Sequence, residues 1–209
     1  MKNVKDFFNE NVGEWSESLF EEKKQYKIVE KFYNCYSKVR TMKPKILDVG
    51  CGIGYESKIL SDFGAKVTGM DFSETAINLA KQKVEKVNFV VGDITENLQG
   101  LDKFDGVICL ETLDYIDNSK MKIAFENISS VMKIGALLLV SVLDGNSKND
   151  ERSYIKVNDN EYDKGFFCYN AESLCSYAYP NFKLVDTWQF NDFNEGWRYY
   201  VFMKQYVNN

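Results

Sequence analysis

Apolar positions recur at two different periods along this chain of 209 residues. Over residues 5–40 they follow a helical spacing, Phe7, Phe8, Val12, Trp15 and Leu19 and then Tyr26, Ile28, Val29, Phe32 and Tyr33, which predicts helix with Gly13 as a break between two pieces. Pro44 closes that region, because the residue before a proline is pushed out of the helical conformation. Short apolar runs then predict strands over 46–50, 66–71, 87–93, 104–113 and 136–142. Amphipathic stretches lie between them. One carries Tyr55, Ile59, Leu60 and Phe63 and stops at Gly64; a second holds Ala76, Ile77, Leu79 and Ala80 behind Ser73, a fitting N-cap. A third repeats Met121, Ala124, Phe125, Ile128, Val131 and Met132. Strands alternating with helices in this way imply βαβ units, and hence a mostly parallel sheet covered on both faces.

The rhythm breaks at 144–164, a polar run too long for an ordinary connection; such segments serve as functional lids or stay disordered. Asn170 then caps a helix through Leu174 and Ala178, and 182–190 with 198–206 reads as two strands joined by a turn, an antiparallel hairpin at the sheet edge. The predicted organisation is a single domain over 1–209. It comprises an N-terminal helical lid (1–43), a core (44–143), an insertion (144–169) and a terminal helix and hairpin (170–209).

Composition narrows the class. With 44% hydrophobic and 15% aromatic residues the chain can bury a sizeable core. A formal charge of -5 and a pI near 5.0 argue against nucleic acid or an anionic membrane as the main partner, since either needs a basic face. No run approaches the length of a membrane span, and the first residues lack the apolar region of a signal peptide, so a cytoplasmic location is expected. Five cysteines at irregular spacing suggest neither a disulfide framework nor a CxxC metal pair, and no metal is expected. The chain has no histidine, so proton transfer falls to Asp, Glu, Tyr, Lys, Cys or water.

Candidate chemistry begins at Lys45-Ile-Leu-Asp48-Val-Gly50-Cys51-Gly52-Ile-Gly54, a buried strand turning into a helix through three alternating glycines. Such a turn bends sharply, admits a ligand closely and offers the unpaired N–H groups of a helix start, so a nucleotide-like small molecule is expected. The dinucleotide pattern G-x-G-x-x-G fails, because the sixth position from Gly50 is Tyr55. A phosphate loop fails too, since neither Gly52 nor Gly54 precedes a lysine.

What the segment resembles is the first motif of the class I S-adenosylmethionine-dependent methyltransferases, an acid followed by G-x-G-x-G. Lys66-Val-Thr-Gly-Met-Asp71-Phe72-Ser73 is similar to that family's second strand, Asn88-Phe-Val-Val-Gly92-Asp93-Ile94 to its third, and Phe104-Asp-Gly-Val-Ile-Cys-Leu110-Glu111 to its fourth. Lys133-Ile-Gly135-Ala-Leu-Leu-Leu resembles the turn and strand that close the core. The resemblance covers about residues 44–143 and implies a Rossmann-like, seven-stranded, mostly parallel sheet with its last strand antiparallel and helices on both faces. It implies S-adenosylmethionine as methyl donor, with S-adenosylhomocysteine as product. By resemblance Asp71 binds the ribose, Phe72 faces the adenine, and Asp93 and the Ile94 main chain pair with its edge. Asp48, the Gly50–Cys51–Gly52 backbone with Gly54, and the Leu110 carbonyl meet the methionine end, and Trp15 folds over the cofactor; the alternative for Trp15 is packing surface of an apolar helical stripe.

Transfer of a methyl group from a sulfonium is an in-line displacement with an activated leaving group, so positioning and a dry pocket are the main requirements. Glu111, Asp114 and Tyr115, just past the fourth strand, are the candidates for acceptor contact or proton acceptance. An alternative for these three is a solvated loop ahead of a helix cap at Asp117 or Asn118. Tyr154, Tyr162, Phe166, Phe167 and Tyr169 could wall an acceptor pocket. The expected partner is a small-molecule acceptor, with no nucleic acid or membrane, and the chain is expected to be a monomer or homodimer. Two other readings stay open: aminopropyl transfer, for which Asp114 and Asp117 would supply acids, and a cofactor-binding partner subunit without catalysis.

Overall fold

The computed structural model describes residues 3–19, 24–37, 43–98, 100–143, 154–157, 160–163, 167–190 and 196–207; for 13–19, 24, 37, 154–157 and 160–163 the description is of backbone only. Helices α1 (Val4–Leu19) and α2 (Lys24–Ser37) precede the alternating core. That core runs β1 (Lys45–Val49), α3 (Tyr55–Asp62), β2 (Lys66–Asp71), α4 (Glu74–Lys83), β3 (Asn88–Val91), β4 (Phe104–Cys109), a short 3-10 turn (Leu113–Tyr115), α5 (Asn118–Ser130) and β5 (Met132–Leu143). The remainder is β6 (Tyr154–Val157), β7 (Asn160–Asp163), α6 (Ala171–Ala178), β8 (Phe182–Trp188) and β9 (Trp197–Lys204).

Seven strands form one sheet in the order β3-β2-β1-β4-β5-β9-β8. All neighbours are parallel except β9, which pairs antiparallel with β5 on one side and β8 on the other. The expected hairpin therefore turns back into the sheet: β9 is slotted inside and β8 forms the edge. The order reverses between β1 and β4, and a crevice opens at the carboxyl ends of the strands on either side of such a switch point.

The central strands are buried along their length, as Phe104–Cys109 shows at every position, because helices cover both faces. One core cluster lies under α5 and α6, with Phe125, Phe182 and Phe202 packed edge to face; another lies under α2 and α3, around Phe32, Ile46, Leu60 and Tyr199. Caps fix the helix starts. Ser73 Oγ accepts the Ala76 N–H at 3.1 Å on α4, and Asn170 with Ser173 makes a reciprocal capping box on α6.

Four boundaries differ from expectation. Helix α1 runs through Gly13, since one glycine costs a helix only about 1 kcal/mol. β4 stops at Cys109, because the Leu110 carbonyl accepts the Thr112 hydroxyl at 2.8 Å and Glu111 turns the chain with φ of 51°. Met132 begins β5 instead of ending α5: it pairs with Phe104, and a bulge around Gly135, φ 76°, lets the strand restart in register. The 144–169 insertion contains a two-stranded antiparallel hairpin, β6 with β7, and β7 lies against α1. Among the described residues no helix is long and apolar enough to cross a membrane.

Candidate active site

At the switch point the glycine turn is sewn to β2. The N–H groups of Gly50 and Cys51 both donate to the Met70 carbonyl, at 2.7 and 3.0 Å, and Gly54 N–H donates to Cys51 O at 2.8 Å. Gly52 N–H donates to Asp71 Oδ2 at 2.9 Å, while Asp71 Oδ1 accepts the Ser73 N–H at 2.8 Å. The N–H groups of residues 50, 51, 52 and 54 in the turn ahead of the helix are thus all bonded within the protein. What the turn supplies is close approach. A Cβ on Gly50 would stand 2.1 Å from Thr112 Oγ1, and one on Gly54 would stand 2.6 Å from the Phe89 ring; Gly52 faces open space.

Asp71 is 9% exposed, and burial lifts its carboxyl above the ordinary value while its two N–H donors pull the other way. Each of its oxygens accepts one N–H and has a further lone pair, which suits paired hydroxyl donors. Around it lies a cavity of about 340 Å³ whose lining includes Gly50, Gly52, Asp71, Phe72, Asp93, Ile94, Thr95 and Tyr115. Asp93 Oδ1 is held by the Thr95 N–H and hydroxyl, both at 2.8 Å, and the Ile94 carbonyl accepts from Asn127 at 2.9 Å. From α1, Phe8 meets Phe72 and Tyr115 edge to face, at centroid distances of 5.9 and 5.1 Å. Ser73 Oγ donates to Asn9 Oδ1 at 2.7 Å and ties α1 to the start of α4.

A second chamber of about 350 Å³ adjoins the first, sharing Phe8, Val12, Gly50, Gly52, Glu111 and Tyr115. It adds Gln25, Cys51, Tyr55, Glu56, Leu110 and Trp197. Gln25 donates to Glu111, whose own N–H donates to Ser141 Oγ at 2.7 Å. The positive φ of Glu111 is a sparsely populated conformation for a side-chain-bearing residue, of the kind that collects at functional sites. Glu56 sits in the first turn of α3, and burial beside Asp48 pushes its carboxyl up to about 8. Burial pushes the Tyr115 hydroxyl up to about 12, with Asp114 and Glu111 adding to the shift, so it stays protonated near neutral pH.

Of the expected residues, Gly50, Cys51, Gly52, Asp71, Phe72, Asp93, Ile94, Leu110, Glu111 and Tyr115 line one continuous cleft. Three others stand outside its lining. Asp48 lies behind the turn, 2% exposed, accepting from Ser57 Oγ at 2.6 Å, and burial pushes it up to about 7. Gly54 is packed on Phe89. Asp114 is fully buried: Oδ1 accepts the Leu143 N–H at 3.0 Å, its main-chain carbonyl accepts the Phe167 N–H at 2.8 Å, and Oδ2 has no partner among the described residues. The aromatic wall is likewise changed, since Phe167 and Tyr169 are core residues and the Tyr169 hydroxyl donates to Ile116 O at 3.0 Å. The Trp15, Tyr154, Tyr162 and Phe166 side chains lie outside the described residues.

The sequence reading missed Phe8 as a ring across the cleft, and it missed Gln25, Glu56 and Thr112. Thr112 could have been suspected from the glycine that must face something small, but Gln25 and Glu56 carry no sequence signal. Among the described residues no group of three or more His, Cys, Asp or Glu is arranged to hold a metal ion.

Comparison with known proteins bears on the fold and on residues 46–135. Residues 46–135 match the family described as a methyltransferase domain. A ubiquinone biosynthesis O-methyltransferase of Coxiella burnetii (strain Dugway 5J108-111) is 35% identical over 113 residues, 52% of this chain and 47% of that protein. The one from Rickettsia felis is 34% identical over 125 residues, 58% and 49%. The chain thus spans about half the length of the relatives it matches. Magnesium protoporphyrin IX methyltransferase from Synechocystis PCC 6803, solved with bound SAH, superposes with a TM-score of 0.74 at 16% identity, covering 97% of this chain and 98% of that one. The N-methyltransferase NodS from Bradyrhizobium japonicum WM9, in complex with S-adenosyl-l-homocysteine, gives 0.72 at 16% identity, covering 97% and 99%. Residues 46–135 of this chain are thus similar to a methyltransferase domain, and the strand order gives the chain the fold of these solved methyltransferases.

Proposed function

We propose that this chain transfers a methyl group from S-adenosylmethionine to a small-molecule acceptor. The observation that carries the reading is the single cleft in which Asp71, tied to Gly52 and Ser73, stands beside Phe72, Asp93 and Ile94 and opens toward Glu111 and Tyr115. In this reading Asp71 accepts both ribose hydroxyls, Phe72 covers the adenine, and Asp93 and Ile94 pair with its edge. Asp48 holds the glycine turn from behind through Ser57, and the carbonyls of the turn and of Leu110 face the amino-acid tail.

The donor's sulfonium supplies a methyl group already activated for displacement, so the chain's task is alignment and exclusion of water. Phe8, Phe72 and Tyr115 supply an aromatic cover over the cleft, and α1 acts as its lid. Glu111, displayed by its strained backbone where the two chambers meet, is placed to accept a proton from the nucleophile or to orient it. Asp114 is a structural post instead, and Asp117 is occupied with the Ser119 N–H at 2.8 Å at the start of α5. With Asp114 buried, Asp117 is the one acid of that pair in the cleft lining, which favours methyl over aminopropyl transfer.

Calorimetric titration with S-adenosylmethionine and S-adenosylhomocysteine tests the reading. Micromolar binding of both is expected, with homocysteine-releasable product formed once an acceptor is supplied; no heat from either at millimolar ligand would exclude it.

A further inference from the structure

We infer that Glu56 is a binding residue for the α-ammonium group of the cofactor, and that it gives up a proton as the ligand enters. The inference rests on the methyl-donor reading above and assigns one further residue to that site.

The argument is one of donors and acceptors. In the half of the cleft nearest α3, the N–H groups of Gly50, Cys51, Gly52 and Gly54 are already used, by Met70 O, Asp71 and Cys51 O. Gln25 donates one amide N–H to Glu111 and keeps a buried Oε1 with no partner among the described residues. The charged side chains lining this chamber are Glu56 and Glu111, and no lysine or arginine is among its described lining residues. A zwitterionic tail entering here meets two carboxyl side chains and no cationic one, so the charge complement this chamber offers is for the ammonium end. No described acid cluster is arranged for a metal ion, so the cation that fits is one the ligand carries.

Glu56 is the group that responds. It faces Asp48 from β1 and Glu111 from the end of β4; Gln25 from α2 is neutral, and Phe8 and Val12 from α1 are apolar. Asp71 acts in turn on Asp48, and the Cys51 thiol, in the same lining, feels Asp48, Asp71 and Glu56. With burial first and Asp48 and Glu111 against it, the Glu56 carboxyl holds its proton near neutral pH before a ligand enters. An ammonium against it favours the carboxylate, and the proton leaves to solvent.

The test is calorimetry of the full chain with S-adenosylhomocysteine near pH 7, in two buffers of different ionisation heat, with 5′-methylthioadenosine, which lacks the amino-acid tail, as comparison ligand. The expected result is net release of a substantial fraction of one proton per S-adenosylhomocysteine, none with 5′-methylthioadenosine, and loss of the release in Glu56→Gln together with roughly tenfold weaker binding. Binding without proton exchange, with proton uptake, or with equal release in Glu56→Gln overturns the assignment and leaves the methyl-donor reading standing. Failure of both ligands to bind the unaltered chain overturns that reading, and this one with it. The proton count on the unaltered chain needs no variant, so a misfolded substitution cannot mask the answer.

Discussion

The Asp71 carboxylate accepts the Gly52 amide N–H at 2.9 Å across the gap between β1 and β2. One side chain thus fixes the loop that approaches the ligand and presents the oxygens that would bind it. Replacing Asp71 by Ala leaves the buried Ser73 N–H and the part-buried Gly52 N–H without their acceptor and removes both hydroxyl acceptors. We expect binding of S-adenosylhomocysteine to weaken roughly a hundredfold or more, and stability to fall by about 1–3 kcal/mol. Calorimetry and urea unfolding check the two effects separately. Unchanged affinity would remove Asp71 from the ligand site.

Two neighbouring glycines should fail in different ways. Gly50→Ala drives a methyl group into Thr112 at a backbone φ of 71°, so its main effect is a loss of stability, on the order of 2–4 kcal/mol. Gly52→Ala points into open cleft, so it should cost about 1 kcal/mol of backbone strain and lose ligand affinity instead. Thermal unfolding beside calorimetry on both variants tells them apart, and identical profiles would contradict the geometry.

Buried acids set the pH dependence of stability. Asp114 holds its proton up to about pH 7, well above the ordinary 3.8, because it is buried. Below the ordinary value both folded and unfolded chains carry that proton; above it the unfolded chain releases it while the folded chain does not, so stability falls as pH climbs from about 4 through 7. Glu56 and Asp48 act in the same direction. Asp114→Asn keeps an oxygen for the Leu143 N–H and can never ionise, so its melting temperature relative to the unaltered chain should rise between about pH 4 and pH 7 and level off above that. Parallel curves would show that Asp114 does not titrate in this window.

At the acceptor end, Glu111→Gln should leave S-adenosylhomocysteine affinity within about threefold and lower kcat by roughly a hundredfold, the usual scale for a positioned proton acceptor. Tyr115→Phe should lower kcat far less, since a hydroxyl held protonated up to about 12 is no base at neutral pH. Steady-state kinetics on an identified acceptor decide the matter; the reverse ranking would move the base from Glu111 to Tyr115.

Phe8 is the contact by which α1 covers the cleft. Phe8→Ala removes the edges set against Phe72 and Tyr115, and ligand dissociation should quicken about tenfold with little change in association. Stopped-flow binding measures both rates, and slower association with unchanged dissociation would argue against a cover.

The parts of the site legible in the sequence were those set by local chain geometry. An acid at the end of β2 and glycines after β1 are consequences of strand ends and turns, and they fell where the spacing put them. Positions set by long-range packing were not legible. Asp114 and Tyr115 are adjacent, yet the 3-10 turn sends Asp114 inward to Leu143 and leaves Tyr115 in the cleft. Met132 fits a helical stripe equally well, but pairing with Phe104 decides for the strand. Glu56 looks like any solvated acid in a first helical turn, where the helix dipole favours one, until α2 and the end of β4 close around it.

The central claim, an adenosyl ligand held by its sugar on Asp71 with its amino-acid tail over the glycine turn, is tested most directly by a crystal structure of the chain grown with S-adenosylhomocysteine. The account predicts both ribose hydroxyls within hydrogen-bond reach of Asp71, the adenine against Phe72 beside Asp93 and Ile94, and the tail lying along Gly50 and Gly52 toward Glu56. Density for the ligand elsewhere, or none in a cleft open to the crystal solvent, would contradict it.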